Sequence, residues 1–168
     1  SYSAAISACE KGGQWERALA LLDEMQARGL KPNVISFSAA ISACEKGGQS
    51  ERALALLDAM QARGLEPNVI SFSAAISACE KGGQWERALV LLKKMQARGL
   101  QPNVITFNAA ISACGKGRQW EDALSLLKEM ELRGLKPNVV SFNAAISACE
   151  KGGQWERALS LLEEMKTR

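Results

Sequence analysis

A chain of 168 residues with formal net charge +3 and 47% hydrophobic residues carries enough apolar content to bury a core, which excludes a disordered polar chain. No apolar run approaches the ~18 residues that a membrane-crossing helix needs, so no membrane span is expected. Charge is mixed in sign. Only residues 69–103 are clearly basic, with Lys81, Arg87, Lys93, Lys94 and Arg98 against Glu80 and Glu86, which does not suit binding dominated by phosphate contacts along the whole chain.

Repetition governs the chain from its start. Pro32-Asn33, Pro67-Asn68, Pro102-Asn103 and Pro137-Asn138 return every 35 residues. A period of this length marks stacked supersecondary units. It divides the chain into a partial repeat 1–33, full repeats 34–68, 69–103 and 104–138, and a partial repeat 139–168. The chain starts and stops inside a repeat, so it is expected to be a segment of a longer array.

Residues 34–68 show the unit in order. Pro32 stops the preceding helix, and Asn33 is a good helix N-cap. A first helix is predicted from about Ile35 to Lys46. At ~100° per residue, Val34, Phe37, Ile41 and Cys44 form one stripe, which must be buried. Ala39, Ala40 and Ala43 form a second, where another helix can approach closely. Ile35, Ser38, Ser42 and Glu45 lie between them and read as the floor of a groove. Gly47-Gly48 ends the helix and makes the turn. A second helix is predicted from Gln49 or Ser50 to Arg63, with Ala53, Leu54, Leu57 and Met60 on its apolar side. Trp15, Trp85, Trp120 and Trp155 lead this stripe in the other repeats, where residues 34–68 have Ser50. Gly64 closes the second helix and Pro67 follows. One such hairpin cannot bury both stripes, but stacked hairpins can.

The 5 cysteines, Cys9, Cys44, Cys79, Cys114 and Cys149, fall one per repeat. They read as small buried hydrophobes. Neighbouring helices pack ~8–10 Å apart, too far for disulfides that need Cα atoms within ~7 Å. There is no C-x-x-C pair and no histidine, so zinc spacing is missing and no metal or cofactor is expected. No paired carboxylates on a common face, phosphate loop or nucleophile elbow is present, so the chain is not expected to be an enzyme or to take a small-molecule substrate.

The tetratricopeptide pattern has period 34 and a W-x2-L-G-x2-Y opening, which these repeats lack. Their opening is V-I-S-F-S or V-I-T-F-N, followed by A-I-S-A-C-E-K-G-G-Q-W-E-R-A-L and, at the close, M-x-x-R-G-L-x-P-N. This resembles the pentatricopeptide repeat of the 35-residue P type, with its early aromatic before Asn, Ser or Thr, its K-x-G, its E-x-A and its M-x-x-x-G-x-x-P. The resemblance covers essentially the whole chain. It implies an all-α fold, a right-handed α-solenoid of helix-turn-helix repeats.

It also implies a function. Members of that family bind single-stranded RNA, mostly in mitochondria or chloroplasts, at one nucleotide per repeat, each base being read by a few side chains. The implied readers are the fifth residue of the first helix and the last residue of the repeat. They are Ser3 with Asn33, Ser38 with Asn68, Ser73 with Asn103, Asn108 with Asn138, and Asn143, whose partner lies beyond Arg168. Ile35, Ile70, Ile105 and Val140 are the implied apolar wedges that sandwich bases. Lys46, Lys81, Lys116 and Lys151, by their position at the ends of the first helices, are candidate phosphate contacts. The target implied by the family's base code is 5′-A-A-A-(C/U)-. A small Ala follows each reader, as at Ala39-Ala40, where the family often has a larger apolar residue. A scaffold that binds proteins through the same face is the alternative reading.

Overall fold

The computed structural model describes residues 1–168. It contains ten helices and no strand: α1 (Tyr2–Lys11), α2 (Trp15–Ala27), α3 (Val34–Lys46), α4 (Ser50–Ala62), α5 (Val69–Lys81), α6 (Trp85–Ala97), α7 (Val104–Lys116), α8 (Trp120–Leu132), α9 (Val139–Lys151) and α10 (Trp155–Lys166). The class is an all-α repeat solenoid. Contacts group the chain into two compact units, residues 1–82 and 83–168. No helix is long and apolar enough to cross a membrane.

The start of α3 shows why the elements begin where they do. Asn33 is extended, at φ −115° and ψ −179°, and its Oδ1 accepts from the Ser36 backbone N–H at 2.9 Å. The Ser36 hydroxyl accepts in return from the Asn33 N–H at 2.8 Å. Two donors that the first helical turn leaves unpaired are thus satisfied reciprocally. Asn68, Asn103 and Asn138 repeat the arrangement with Ser71, Thr106 and Ser141. The helix therefore starts at Val34, one residue before the sequence expectation.

At the other end, Gly47 and Gln49 donate their N–H groups to the carbonyls of Ala43 and Cys44 at 2.9 and 2.8 Å. The latter six-to-one bond requires a left-handed residue between them, which Gly48 supplies at φ 70°. The fourth repeat has Arg118 there, forced to φ 59°. The sequence reading passed over that substitution.

In the first unit, α3 packs against α1 and α5, while α2 lies against α1 and α3, and α4 against α3 and α5. Ala40, Ala43, Ala75 and Ala78 are buried, as expected of a surface that lets helices approach closely. Phe37, Ile41, Phe72 and Ile76 fill the core with Leu22, Leu57 and Met60. Each fully buried side chain of this size contributes about 1.5–3 kcal/mol. In the second unit, α7 packs against α6, α8 and α9, and α9 also against α8 and α10. Phe107, Ile111, Phe142, Met95 and Met130 form its core. Val34, expected in the buried stripe, is only half-buried.

The tryptophans also differ from expectation. Trp15, Trp85 and Trp120 are half-buried and Trp155 is exposed. Instead of entering a hairpin's own core, three of them cover the first-helix end of the following hairpin. Trp15 lies on Gly47, Trp85 on Gly117 and Trp120 on Gly152, so closely that a Cβ at any of these glycines would overlap the indole. Trp155 has no such glycine to cover.

No cysteine is in a disulfide; Cys44, Cys79, Cys114 and Cys149 are buried, as small core residues should be, while Cys9 is half-buried.

Candidate functional site

The first turns of α3, α5, α7 and α9 carry the candidate site. Residues 2 and 5 of a repeat are three apart, so they share one face of the helix. In the first unit, Ile35 and Ile70 stand exposed on these turns, at 62% and 61%. In the second unit, Ile105 and Val140 are exposed at 66% and 58%. An apolar branched side chain kept in solvent at the same position of each repeat gains nothing from folding.

Beside them lie the polar pairs. In the first unit the Ser3 hydroxyl reaches Asn33 Oδ1 at 3.4 Å, and the Ser38 hydroxyl reaches Asn68 Oδ1 at 3.4 Å. In the second, Asn108 Nδ2 donates to Asn138 Oδ1 at 3.2 Å. Residues 30 apart in sequence are therefore joined side chain to side chain. Ser73 is half-buried in the first unit, and Asn103 caps α7 in the second. Asn143 is exposed on α9.

Ser38 is less open than a groove floor would be, at 4% exposure. Its hydroxyl lies 2.9 Å from the Ser71 hydroxyl of the next repeat. Asn108 at the equivalent position is half-buried and also meets the next repeat, accepting from the Ser141 hydroxyl at 2.6 Å. Sequence reading missed these third-position residues. The available signal was a Ser or Thr at 36, 71, 106 and 141 next to the buried aromatic of each repeat.

The capping bonds also settle how each Asn faces. A backbone N–H can donate only to oxygen, so Oδ1 of Asn68, Asn103 and Asn138 points into the helix start. Nδ2 takes no part in these capping bonds.

The four lysines are not equivalent. Lys46 is ion-paired with Glu10, and Lys81 with Glu45 at 2.7 Å, each pair linking adjacent repeats. Lys116 and Lys151 are exposed. For Lys151 the position that holds Glu in the earlier pairs is Gly115, so it has no such partner. No cluster of His, Cys, Asp and Glu arranged to hold a metal occurs. A cleft of about 380 Å³ lies elsewhere, between α2 and α4, with Leu19, Leu22, Leu56 and Phe37 in its walls.

Family models for pentatricopeptide repeats match along the chain. The pentatricopeptide repeat domain matches residues 20–82 and 55–117, the PPR repeat family residues 102–151, and the PPR repeat residues 1–30 and 140–168. The chain belongs to the pentatricopeptide repeat family. Among solved structures it is similar to the pentatricopeptide repeat protein PPR10 from maize, with 32% identity and a TM-score of 0.71 over 99% of this chain and 24% of that one. A structure of PPR10 in complex with an 18-nt psaJ RNA element matches at 29% identity and TM-score 0.73, over 99% of this chain and 28% of that one. The PPR domain of Arabidopsis thaliana protein-only RNase P 1, in complex with tRNA, shares the fold at TM-score 0.85 and 18% identity, over 99% and 90% of the two chains. The chain thus spans about a quarter of the length of PPR10. Comparison with curated protein sequences gave no match.

Proposed function

We propose that this chain binds single-stranded RNA as one array, taking one nucleotide per repeat. The observation that carries the reading is the exposed wedge beside an oriented amide. Ile105, for example, is 66% exposed three residues before Asn108, whose Nδ2 meets Asn138. A branched apolar side chain can cover the flat face of a base, while amide and hydroxyl groups pair with its edge. Membership of the family, and similarity to a relative whose structure holds RNA, support the same reading.

Ser38 with Asn68 takes adenine in this scheme, and Asn108 with Asn138 a pyrimidine. The preferred sequence is 5′-A-A-A-(C/U)-, and the setting is RNA processing or stability in a mitochondrion or chloroplast. Of the phosphate contacts, Lys151 is the readiest, because Lys46 and Lys81 must first share their carboxylates.

The test is a fluorescence-anisotropy titration against A-rich, C-rich and U-rich single strands. Tighter binding of strands with the preferred order is expected. Equal affinity for all would reduce the interaction to charge, and no binding would favour the protein scaffold. Ser38→Asn should move the preference of the second repeat from adenine to pyrimidine, and Asn108 shows that an Asn fits at this position.

A further inference from the structure

The polar contacts made by the third residue of each repeat have no place in the scheme above. Ser141 is completely buried on α9, yet its hydroxyl lies 2.6 Å from Asn108 Oδ1 on α7 and 3.0 Å from Asn138 Oδ1. It has one proton to give. Asn138 Oδ1 already accepts from the Ser141 backbone N–H at 3.1 Å and from Asn108 Nδ2 at 3.2 Å. The shorter bond, to an oxygen with no other donor shown, takes the proton. The Ser141 lone pairs accept from the Asn138 N–H at 3.0 Å.

In the first unit Ser71 stands in the same place. It is buried, donates to Asn68 Oδ1 at 2.8 Å, and meets the Ser38 hydroxyl at 2.9 Å. Either hydroxyl can be the donor in the bond between them, and Ser38 also reaches Asn68 Oδ1 at 3.4 Å, so Ser38 is held on both sides. Ser36 is the weaker instance. Its hydroxyl goes to the Asn33 main-chain carbonyl at 2.9 Å, and Ser3 is held only by the 3.4 Å contact with Asn33.

We infer that Ser71 and Ser141 are positioning residues for base selection, each fixing the reader of the repeat before it. The inference rests on the base reading proposed above. A free Asn side chain can turn either its oxygen or its nitrogen toward a ligand, so it accepts from one base and donates to another. With Oδ1 held by Ser141 and one Nδ2–H held by Asn138, Asn108 cannot exchange the places of its oxygen and its nitrogen. Ser38 is likewise held in place by its contacts with Ser71 and Asn68. The third residue thus decides what hydrogen-bonding character the fifth residue of the preceding repeat shows.

The experiment compares the chain with its Ser141→Ala variant on strands that differ only in the base facing the fourth repeat. One hydrogen bond to a polar group corresponds to a factor of about five. The ratio of affinities for preferred and rejected bases should fall by about that factor, with affinity for the preferred base much less changed. Ser141→Thr should restore the ratio, since it keeps the hydroxyl and Thr106 shows that Thr fits the capping box at the equivalent place. A uniform loss for all four bases, or an unchanged ratio, would show that the hydroxyl only caps α9 and would overturn the inference. Ser71→Ala repeats the comparison at the second repeat should the first variant fold poorly. Side-chain amide NMR of Asn108 without RNA separates the two proposals. Its two carboxamide proton shifts should move toward those of a free asparagine side chain in Ser141→Ala, and unchanged shifts overturn the positioning role whether or not the chain selects bases.

Discussion

The Trp15 indole occupies the space a Cβ on Gly47 would need, its Cδ1 nearest to that point, with the Arg52 guanidinium carbon over the ring 5.1 Å from its centroid. Gly47 has an ordinary φ of −82°, so the backbone would accept alanine and only the neighbouring hairpin forbids it. Gly47→Ala should cost about 1–3 kcal/mol through overpacking. Gly12 occupies the same place in the first repeat, where no indole lies over it and an added Cβ meets nothing nearer than 3.4 Å. Gly12→Ala should therefore be nearly neutral. Urea denaturation of both variants checks this, and equal losses would mean that the turn rather than the indole requires glycine.

The second repeat lacks its tryptophan. Ser50 faces Gly82, its Oγ 2.6 Å from where a Cβ would stand. Ser50→Trp should let an indole cover Gly82 as Trp15 covers Gly47, adding ~1–2 kcal/mol. Calorimetry should show a Tm rise of roughly 3–6 °C, and a lower Tm would mean that the site has no room for the ring.

Arg118 has the left-handed backbone that glycine adopts at the other first-helix ends, such as Gly48 and Gly153. An L residue there is strained by roughly 1–2 kcal/mol, part of which glycine gives back through its freer unfolded chain. Arg118→Gly should stabilise by ~0.5–1 kcal/mol in chemical denaturation. Loss of stability would point to a contact of the guanidinium that outweighs the backbone.

Burial pushes the Cys44 thiol up to about 11, opposed by the Arg52 charge, and the Cys114 thiol up to about 12, with Asp122 adding in the same direction. Both are raised above the ordinary value of 9.0, so the neutral thiol is the form the fold keeps. Their contribution is complete below pH 9 and is lost as pH rises toward 11–12. Thermal melts from pH 8 to 11 should show a steeper decline for the chain than for a Cys44→Ala, Cys114→Ala variant. Parallel declines would mean that other groups carry the whole effect.

The hairpins were legible because their signals are local. Asn33, Gly47-Gly48, Gly64 and Pro67 mark ends by their own backbone chemistry, and the Phe37–Ile41–Cys44 stripe marks the buried face. The exposed Ile35 was legible as a position between two packed stripes. What escaped depends on how far one hairpin is displaced along the next. That displacement puts Trp15 over Gly47, Lys81 beside Glu45 and Ser71 under Ser38, and a period of 35 residues does not encode it. Ser38 was expected on an open floor and is covered because the start of α5 comes up against it.

Asn138 starts a helix with its oxygen, so in the proposed scheme one residue carries a structural duty and a chemical letter together. Any change of letter at that position must still be a side chain able to begin a helix. Short polar residues such as Asp, Ser and Thr qualify, and bulky or aliphatic ones would fray the turn. The vocabulary open to such an array is therefore narrow, and rewriting it draws on four or five side chains rather than twenty.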